Sequence, residues 1–87
     1  MTTINQILLA EDDVNLSTVL ADYLRSRDFQ VTTAADGQEA WETLSKKHFD
    51  VLLTNISMPK MNGWQLIKTV RDSNQQLPII IISAKTD

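Results

Sequence analysis

The chain contains no cysteine, and its 87 residues include only two glycines and two prolines. Without cysteine there is no disulfide framework, no cysteine-ligated zinc site and no thiol nucleophile, and we expect a cytoplasmic protein. No apolar run approaches the roughly 20 residues that a membrane-spanning helix needs. The N-terminus carries no positive charge before its first apolar run, so it does not have the pattern of a signal peptide. We therefore expect no membrane association.

Basic residues are also few, with eight lysines and arginines against eleven acidic residues and a net charge of −3. They are scattered, and the small groups of them fall where helices are predicted to end, a position that the helix dipole favours for cations. This distribution argues against direct nucleic-acid binding, which normally needs a clustered basic face. With 43% hydrophobic residues, the composition is typical of one globular domain spanning residues 1–87.

Short apolar runs alternate with amphipathic stretches along the whole chain. Runs without polar alternation are typical of strands buried on both faces, and apolar residues at spacings of three and four indicate helices. Strict alternation with short connections predicts an α/β fold with an open parallel sheet of four strands and three helices. The strands are predicted at residues 7–10, 29–34, 51–53 and 79–82.

The predicted helices have recognisable starts and apolar faces. Asp13 is expected to cap the first helix, and Asp36 with Glu39 resembles a capping box at the start of the second. Trp41 and Trp64 lie on apolar faces of the second and third helices, so we expect both in the core. The first helix is predicted to bury Val14, Leu16, Val19, Leu20, Tyr23 and Leu24.

Candidate functional residues follow the predicted strands. In an open parallel sheet, ligands bind beyond the carboxyl ends of the strands, where the strand order reverses. Glu11 and Asp12 follow the first strand, and adjacent carboxylates at such an edge favour a hard divalent cation, Mg²⁺ above all. The third strand is followed by Asn55 and Ser57, and the fourth by Ser83 and Ala84.

Other catalytic patterns are missing. The sequence has neither a phosphate-binding loop of the G-x-x-x-x-G-K-[ST] type nor a G-x-G-x-x-G dinucleotide fingerprint. Its only histidine, His48, lies at a predicted helix end far from the acidic pair, so a Ser-His-Asp arrangement has no support. The residues therefore do not predict a conventional enzyme.

Taken together, these segments resemble the response-regulator receiver domain of two-component signalling. That resemblance implies a flavodoxin-like fold, Mg²⁺ binding, and acceptance of a phosphoryl group from a sensor histidine kinase or a phosphotransfer protein. It covers the whole chain, in order, through residues 7–13 (ILLAEDD), 35–40 (ADGQEA), 50–53 (DVLL), 58–63 (MPKMNG) and 77–84 (LPIIIISA).

The resemblance also implies a role for each candidate residue. The phospho-acceptor in the family is an aspartate at the end of the third strand, and counting back from Met58 and Pro59 places Asn55 there. Ser83 is expected to hydrogen-bond the phosphoryl group, with Ala84 leaving room for the backbone to approach. The implied metal ligands are Glu11, Asp12, Asn55 and the backbone carbonyl of Ser57.

Two features depart from the family pattern. A neutral amide cannot accept the phosphoryl group, so Asn55 predicts a non-phosphorylatable receiver, whether natural or engineered. A full receiver also has a fifth strand and two further helices, and Lys85 does not correspond to the lysine of that fifth strand. We therefore expect an incomplete receiver domain, belonging to a longer protein with an output domain or completed by dimerisation or swapping.

Three hypotheses follow. The chain is a phosphorelay receiver that Asn55 makes unable to accept phosphate; or an atypical receiver that binds partners independently of phosphorylation; or a small Mg²⁺-dependent phosphatase. The third lacks an evident nucleophile, since neither Thr54 nor Ser57 has a base beside it.

Overall fold

The computed structural model describes residues 4–73 and 76–82. Strands and helices alternate strictly through these residues, as the hydrophobic pattern predicts. Strand ends differ from the prediction by at most one residue. The elements are β1 (Gln6–Ala10), α1 (Val14–Ser26), β2 (Gln30–Ala34), α2 (Gly37–Leu44), β3 (Val51–Thr54), α3 (Gly63–Asp72) and β4 (Ile79–Ile81).

The four strands form one parallel sheet in the order β2-β1-β3-β4. The chain moves outward from β1 to β2, then returns to the other side of β1 to form β3. The strand order therefore reverses between β1 and β3, which makes the carboxyl ends of these two central strands the expected ligand-binding edge.

Apolar side chains fill both faces of the sheet. On one face Leu8, Ala10 and Leu52 pack with Leu66 and Val70 of α3. A second apolar cluster lies on the opposite face, where Leu20, Ala21 and Leu24 of α1 pack against the sheet. The strand residues of this cluster are Ile7, Leu9, Val31 and Val51. Successive strand residues thus alternate between two cores, which is why these strands are almost wholly apolar.

The helix starts are capped by acidic or amide side chains. Asp13 accepts a hydrogen bond from the Leu16 backbone N–H at 3.1 Å, which confirms it as the cap of α1. Asp36 caps α2 through the Glu39 N–H at 2.7 Å, but Glu39 accepts from the Ala35 N–H rather than closing a reciprocal capping box.

The complete capping box lies at α3. Asn62 accepts from the Gln65 backbone N–H, and the Gln65 side chain accepts from the backbone N–H of Asn62. It satisfies two backbone N–H groups at the helix start. It also fixes the far end of the loop that follows β3.

Two packing predictions are wrong in part. Trp41 packs against the core as expected, but Trp64 is 59% exposed. Val14, Val19 and Tyr23 of α1 are exposed as well. Small residues, Ser17 and Ala21, form the buried centre of this helix instead, and Leu20 and Leu24 are only partly buried beside them.

β4 is an edge strand, like β2 on the other side of the sheet, and its residues Ile80 and Ile81 are exposed. The ladder continues slightly past its end, since the Ile82 N–H donates to the Thr54 carbonyl at 2.9 Å. No helix within residues 4–73 and 76–82 is long and apolar enough to cross a membrane. Ser83 and Ala84, for which phosphoryl-contacting roles are expected, lie outside the described residues.

Asp50 joins the amino ends of β1 and β3. One of its carboxylate oxygens accepts the backbone N–H groups of Asn5 and Gln6 at 3.0 and 2.8 Å. These two bonds, helped by nearby His48, lower the pKa of the Asp50 carboxyl below its ordinary value of 3.8. A lowered folded-state pKa stabilises the fold above pH 3.8, and that contribution is lost as the pH falls through the folded-state pKa.

We therefore expect Asp50→Asn to lower the free energy of unfolding at neutral pH, with the difference from the unchanged chain shrinking below pH 3.8. Urea unfolding at a series of pH values measures this difference. Asp28→Asn is the matched control, because Asp28 is exposed at a left-handed turn position that asparagine tolerates equally well. A difference between Asp50→Asn and the unchanged chain that does not vary with pH would contradict the assignment.

Candidate functional site

The site is built by two backbone hydrogen bonds at the carboxyl ends of the central strands. Ala10 and Thr54 are register partners in β1 and β3. One residue further on, the Asn55 N–H donates to the Ala10 carbonyl at 3.0 Å, and the Glu11 N–H donates to the Ala34 carbonyl at 3.0 Å. The ladder therefore extends just beyond both strands and brings Glu11 beside Asn55, as the sequence predicts.

The side-chain amide of Asn55 makes three contacts. Its Oδ1 accepts the backbone N–H of Ile56 at 2.8 Å. Its Nδ2 donates to Oε2 of Glu11 at 3.3 Å and lies 3.5 Å from the Ser57 carbonyl oxygen. Because the Ile56 N–H can only donate, the amide oxygen has to face it, and the nitrogen is directed between the Glu11 carboxylate and the Ser57 carbonyl.

Glu11 is a buried carboxyl, only 4% exposed. Its Oε2 also accepts the Asp13 backbone N–H at 2.9 Å. Burial raises the pKa of the Glu11 carboxyl and the nearby Asp12 carboxyl adds to the effect, whereas the bonds from Asp13 and Asn55 oppose it. The two donors therefore partly offset the cost of holding a carboxylate away from water.

Asp12 and Asp13 have different surroundings from Glu11. Asp12 is exposed, and its carboxyl lies close enough to act on the pKa of Glu11. Asp13 is occupied as the α1 cap. The acidic run therefore divides into one buried carboxyl, one exposed carboxyl and one helix cap, and only the first two are available to a ligand at the strand ends.

Gly63 and Thr54, neither of which the sequence analysis assigns a role in positioning the site, shape the β3–α3 loop. A Cβ at Gly63 would overlap the Asn55 carbonyl oxygen and lie 2.8 Å from the Cα of Ile56. The Gly63 N–H donates to the Ile56 carbonyl at 2.8 Å, and the buried Thr54 hydroxyl donates to the Asn55 carbonyl at 2.9 Å. The available signal was a glycine at a predicted helix start, within residues 58–63.

The predicted metal-ligand set is only partly assembled around one point. Glu11, Asn55 and the Ser57 carbonyl converge, and Asp12 lies beside Glu11. Within residues 4–73 and 76–82, no three histidine or acidic side chains come together as a metal-binding group. The oxygen donors fit Mg²⁺ in kind, but the Asn55 nitrogen is a hydrogen-bond donor and faces two of them.

Comparison with known proteins identifies the fold and the family. The response regulator receiver domain family matches residues 7–87. The chain belongs to this family. It is 36% identical over 81 residues to the transcriptional regulatory protein RprY of Bacteroides fragilis, an alignment that covers 93% of this chain and 34% of RprY. This receiver chain therefore spans about a third of the length of that relative.

Solved structures agree with the observed topology. The receiver domain of the Francisella response regulator 1452 superposes with a TM-score of 0.90 at 29% identity, covering 95% of this chain and 69% of that one. TrrA of Thermotoga maritima, determined in complex with Mg²⁺ and BeF, gives a TM-score of 0.89 at 24% identity, covering 95% and 72%. The flavodoxin-like fold expected from the sequence is confirmed.

Membership of the family fixes the general function. Receiver domains are signalling modules of phosphorelay pathways rather than conventional enzymes. They interact with histidine kinases and occur within longer proteins that carry output domains. The expected phosphorelay function of this chain is therefore confirmed at the level of the family.

A carboxylate at position 55 should be costly without a cation. Asn55→Asp replaces a donor 3.3 Å from Glu11 with a like charge, so we expect the free energy of unfolding to fall by about 1–2 kcal/mol in metal-free buffer. Mg²⁺ should restore it, because a ligand of the folded state stabilises that state. Urea unfolding with and without Mg²⁺ measures both effects.

Asn62→Asp is the matched control, since it adds the same charge at a helix cap where aspartate is equally suitable. It should change stability little and should not respond to Mg²⁺. Equal stability of Asn55→Asp and the unchanged chain in metal-free buffer would contradict the contact between Asn55 and Glu11.

Proposed function

We propose that this chain is a phosphorelay receiver module that does not accept a phosphoryl group, because Asn55 stands at the phospho-acceptor position. Asn55 directly follows β3 and precedes Met58 by three residues, which is the place of the acceptor aspartate in the family motif. A phosphoryl group is accepted by a carboxylate oxygen, and the side chain of asparagine offers only a neutral amide.

The contact that carries this proposal is the hydrogen bond from Asn55 Nδ2 to Oε2 of Glu11 at 3.3 Å. A carboxylate at position 55 would repel Glu11 and would need a cation between them. The Asn55 amide nitrogen instead donates a hydrogen bond to the Glu11 carboxylate and faces the Ser57 carbonyl. In this way the pocket is held together by a side chain, without the charge that an acceptor aspartate would bring.

The same pocket retains oxygen ligands for Mg²⁺. Glu11, Asp12 and the Ser57 carbonyl would hold the ion, with Asn55 contributing only if its amide turned its oxygen inward. When bound, Mg²⁺ neutralises the negative charge of a phosphoryl group during transfer. Mg²⁺ accompanies BeF in the TrrA complex, which supports the same cation here. Since the Asn55 nitrogen faces two of these oxygens, we expect Mg²⁺ binding to be weaker than with aspartate.

The proposed partner is a sensor histidine kinase or a phosphotransfer protein, in keeping with the family. Ser83 and Ala84 keep their proposed roles beside the phosphoryl group, although both lie outside the described residues. The exposed edge of β4, with Ile80 and Ile81, is suited to pairing with a further strand. The proposed source of that strand is a second copy of this chain, or a further segment where the chain is part of a longer protein.

Treatment with a small phosphodonor such as acetyl phosphate in Mg²⁺ tests the proposal. We expect no phosphorylation of the unchanged chain and Mg²⁺-dependent labelling of Asn55→Asp, measured as the mass gain of one phosphoryl group. The labelled residue should be Asp at position 55 on peptide mapping. Asn62→Asp serves as the control that adds the same carboxylate outside the pocket, and it should stay unlabelled.

Labelling of the unchanged chain would contradict the proposal, because it would identify another acceptor. Failure of Asn55→Asp to take up phosphate in a folded chain would also contradict it, since a restored acceptor in an intact pocket should react. Labelling of Asn62→Asp to the same extent would show reactivity unrelated to the site.

A second candidate function is a protein-interaction module that works independently of phosphorylation. The Asn55 amide joins Glu11 to the β3–α3 loop through its own hydrogen bonds, which favours one fixed conformation over a switch. In this case Asn55→Asp should leave partner affinity unchanged, whether or not phosphodonor is added. Phosphodonor-dependent partner binding by Asn55→Asp would instead favour the receiver function.

A further inference from the structure

The start of α2 packs directly on the loop that carries the site. The Gly37 N–H donates to the Met61 carbonyl at 3.1 Å, and Gly37 is buried. A Cβ at Gly37 would overlap the Met61 carbonyl oxygen, and it would lie 2.8 Å from the carbonyl carbon and 2.9 Å from the Met61 Cβ. Only a glycine lets the two backbones approach this closely.

A second contact joins the same two segments. Asp36 is buried, and its Oδ1 is taken by the Glu39 N–H as the α2 cap. Its Oδ2 lies 3.8 Å from the Nζ of Lys60, whose backbone has a φ of 67°. The left-handed backbone at Lys60 turns the loop immediately before Met61, so the ion pair and the Gly37–Met61 hydrogen bond meet the loop at adjacent residues.

The β3–α3 loop is therefore held at both of its ends. At the site end, the Gly63 N–H bonds the Ile56 carbonyl and the Gly63 backbone lies against Asn55. At the outer end, α2 holds Met61 and Lys60. The Ser57 carbonyl lies on the loop between these two points of attachment, and Asn55 directly precedes Ile56, whose carbonyl Gly63 holds. The positions of both groups therefore depend on how the loop is held.

We propose that Gly37 and Asp36, at the start of α2, are positioning residues of the functional site: they fix the β3–α3 loop so that the Asn55 amide lies between Glu11 and the Ser57 carbonyl. Neither residue touches a reacting atom, and both act through the loop. Of the two contacts, the close approach of Gly37 to Met61 contributes most to holding the loop. The ion pair between Asp36 and the exposed Lys60, at 3.8 Å, contributes little by itself.

Gly37→Ala separates this role from simple helix stability. Gly37 has no positive φ, so alanine is not strained by the backbone there. Alanine is also the better helix former. Any disturbance caused by Gly37→Ala therefore comes from the added Cβ pressing on Met61. Gln38→Ala is the matched control, since Gln38 is the next helical residue and is exposed.

The test is nuclear magnetic resonance of the chain, read at the Asn55 side-chain amide and the Ile56 backbone amide. We expect Gly37→Ala to shift both signals clearly and Gln38→Ala to leave both near their original positions, each in the folded state. Loss of stability alone does not move the folded-state signal of a distant side chain. Unmoved Asn55 and Ile56 signals in a folded Gly37→Ala chain would overturn the proposal.

A reverse measurement decides the matter if Gly37→Ala does not fold. Asn55→Ala should then shift the backbone amide of Gly37 more than that of Gln30, which lies at the opposite end of the sheet. The chain has only two glycines, so the Gly37 signal is easily assigned. An unshifted Gly37 amide in Asn55→Ala would overturn the proposal.

A third measurement rests on the proposed function. In the Asn55→Asp background, Gly37→Ala should weaken Mg²⁺ binding about tenfold, as loss of a supporting contact typically does, while Gln38→Ala should not. Unchanged Mg²⁺ affinity with Gly37→Ala would count against the positioning role. If Asn55→Asp binds no Mg²⁺ at all, the proposed function fails, and the two metal-free measurements still decide the role of Gly37.

Discussion

The site depends on one contact, the hydrogen bond from the Asn55 amide to the buried Glu11 carboxylate. Burying a carboxylate is costly unless donors or a cation compensate for the lost water. Here the compensation comes from the Asp13 backbone N–H and from Asn55. In our account a cation would offset the repulsion between Glu11, Asp12 and an aspartate at position 55. The neutral Asn55 amide removes one of these charges and donates to Glu11, so the pocket keeps its shape with less negative charge.

The rest of the structure brings the two partners of that contact together. Two apolar cores fix the register of β1 and β3, and the reversal of strand order leaves their carboxyl ends adjacent and open. The helix caps then limit where the following loops can go, because Asp13 starts α1 immediately after the acidic pair and Asn62 starts α3 after the loop. Glycine at position 63 allows that loop to return against Asn55.

Much of this arrangement could be predicted from the sequence. Continuous apolar runs identify the buried strands, and the rule that ligand sites lie beyond the carboxyl ends of parallel strands places Glu11 near Asn55. The direction of the Asn55 amide could not be predicted, because it depends on the Ile56 N–H, a backbone group that no residue type reveals. The close approaches at Gly37 and Gly63 were missed for the same reason, since both are contacts with backbone from elsewhere in the chain.

Errors in the predicted core have a related cause. Periodicity identified α1 and α3 but overestimated how much of each apolar face is covered, so Val19, Tyr23 and Trp64 proved exposed. The small residues Ser17 and Ala21 lie at the centre of the α1 contact instead. Hydrophobicity alone ranks large side chains first, whereas close packing of a helix on a sheet also selects small ones.

The most direct test of the central contact is the resonance of the Asn55 side-chain amide in the chain with Glu11→Ala, compared with Asp12→Ala. Our account predicts a large shift of that signal when the Glu11 carboxylate is removed, and a small one when the exposed Asp12 carboxylate is removed. An Asn55 signal that stays in place in Glu11→Ala would contradict the account, because the amide would then not depend on Glu11.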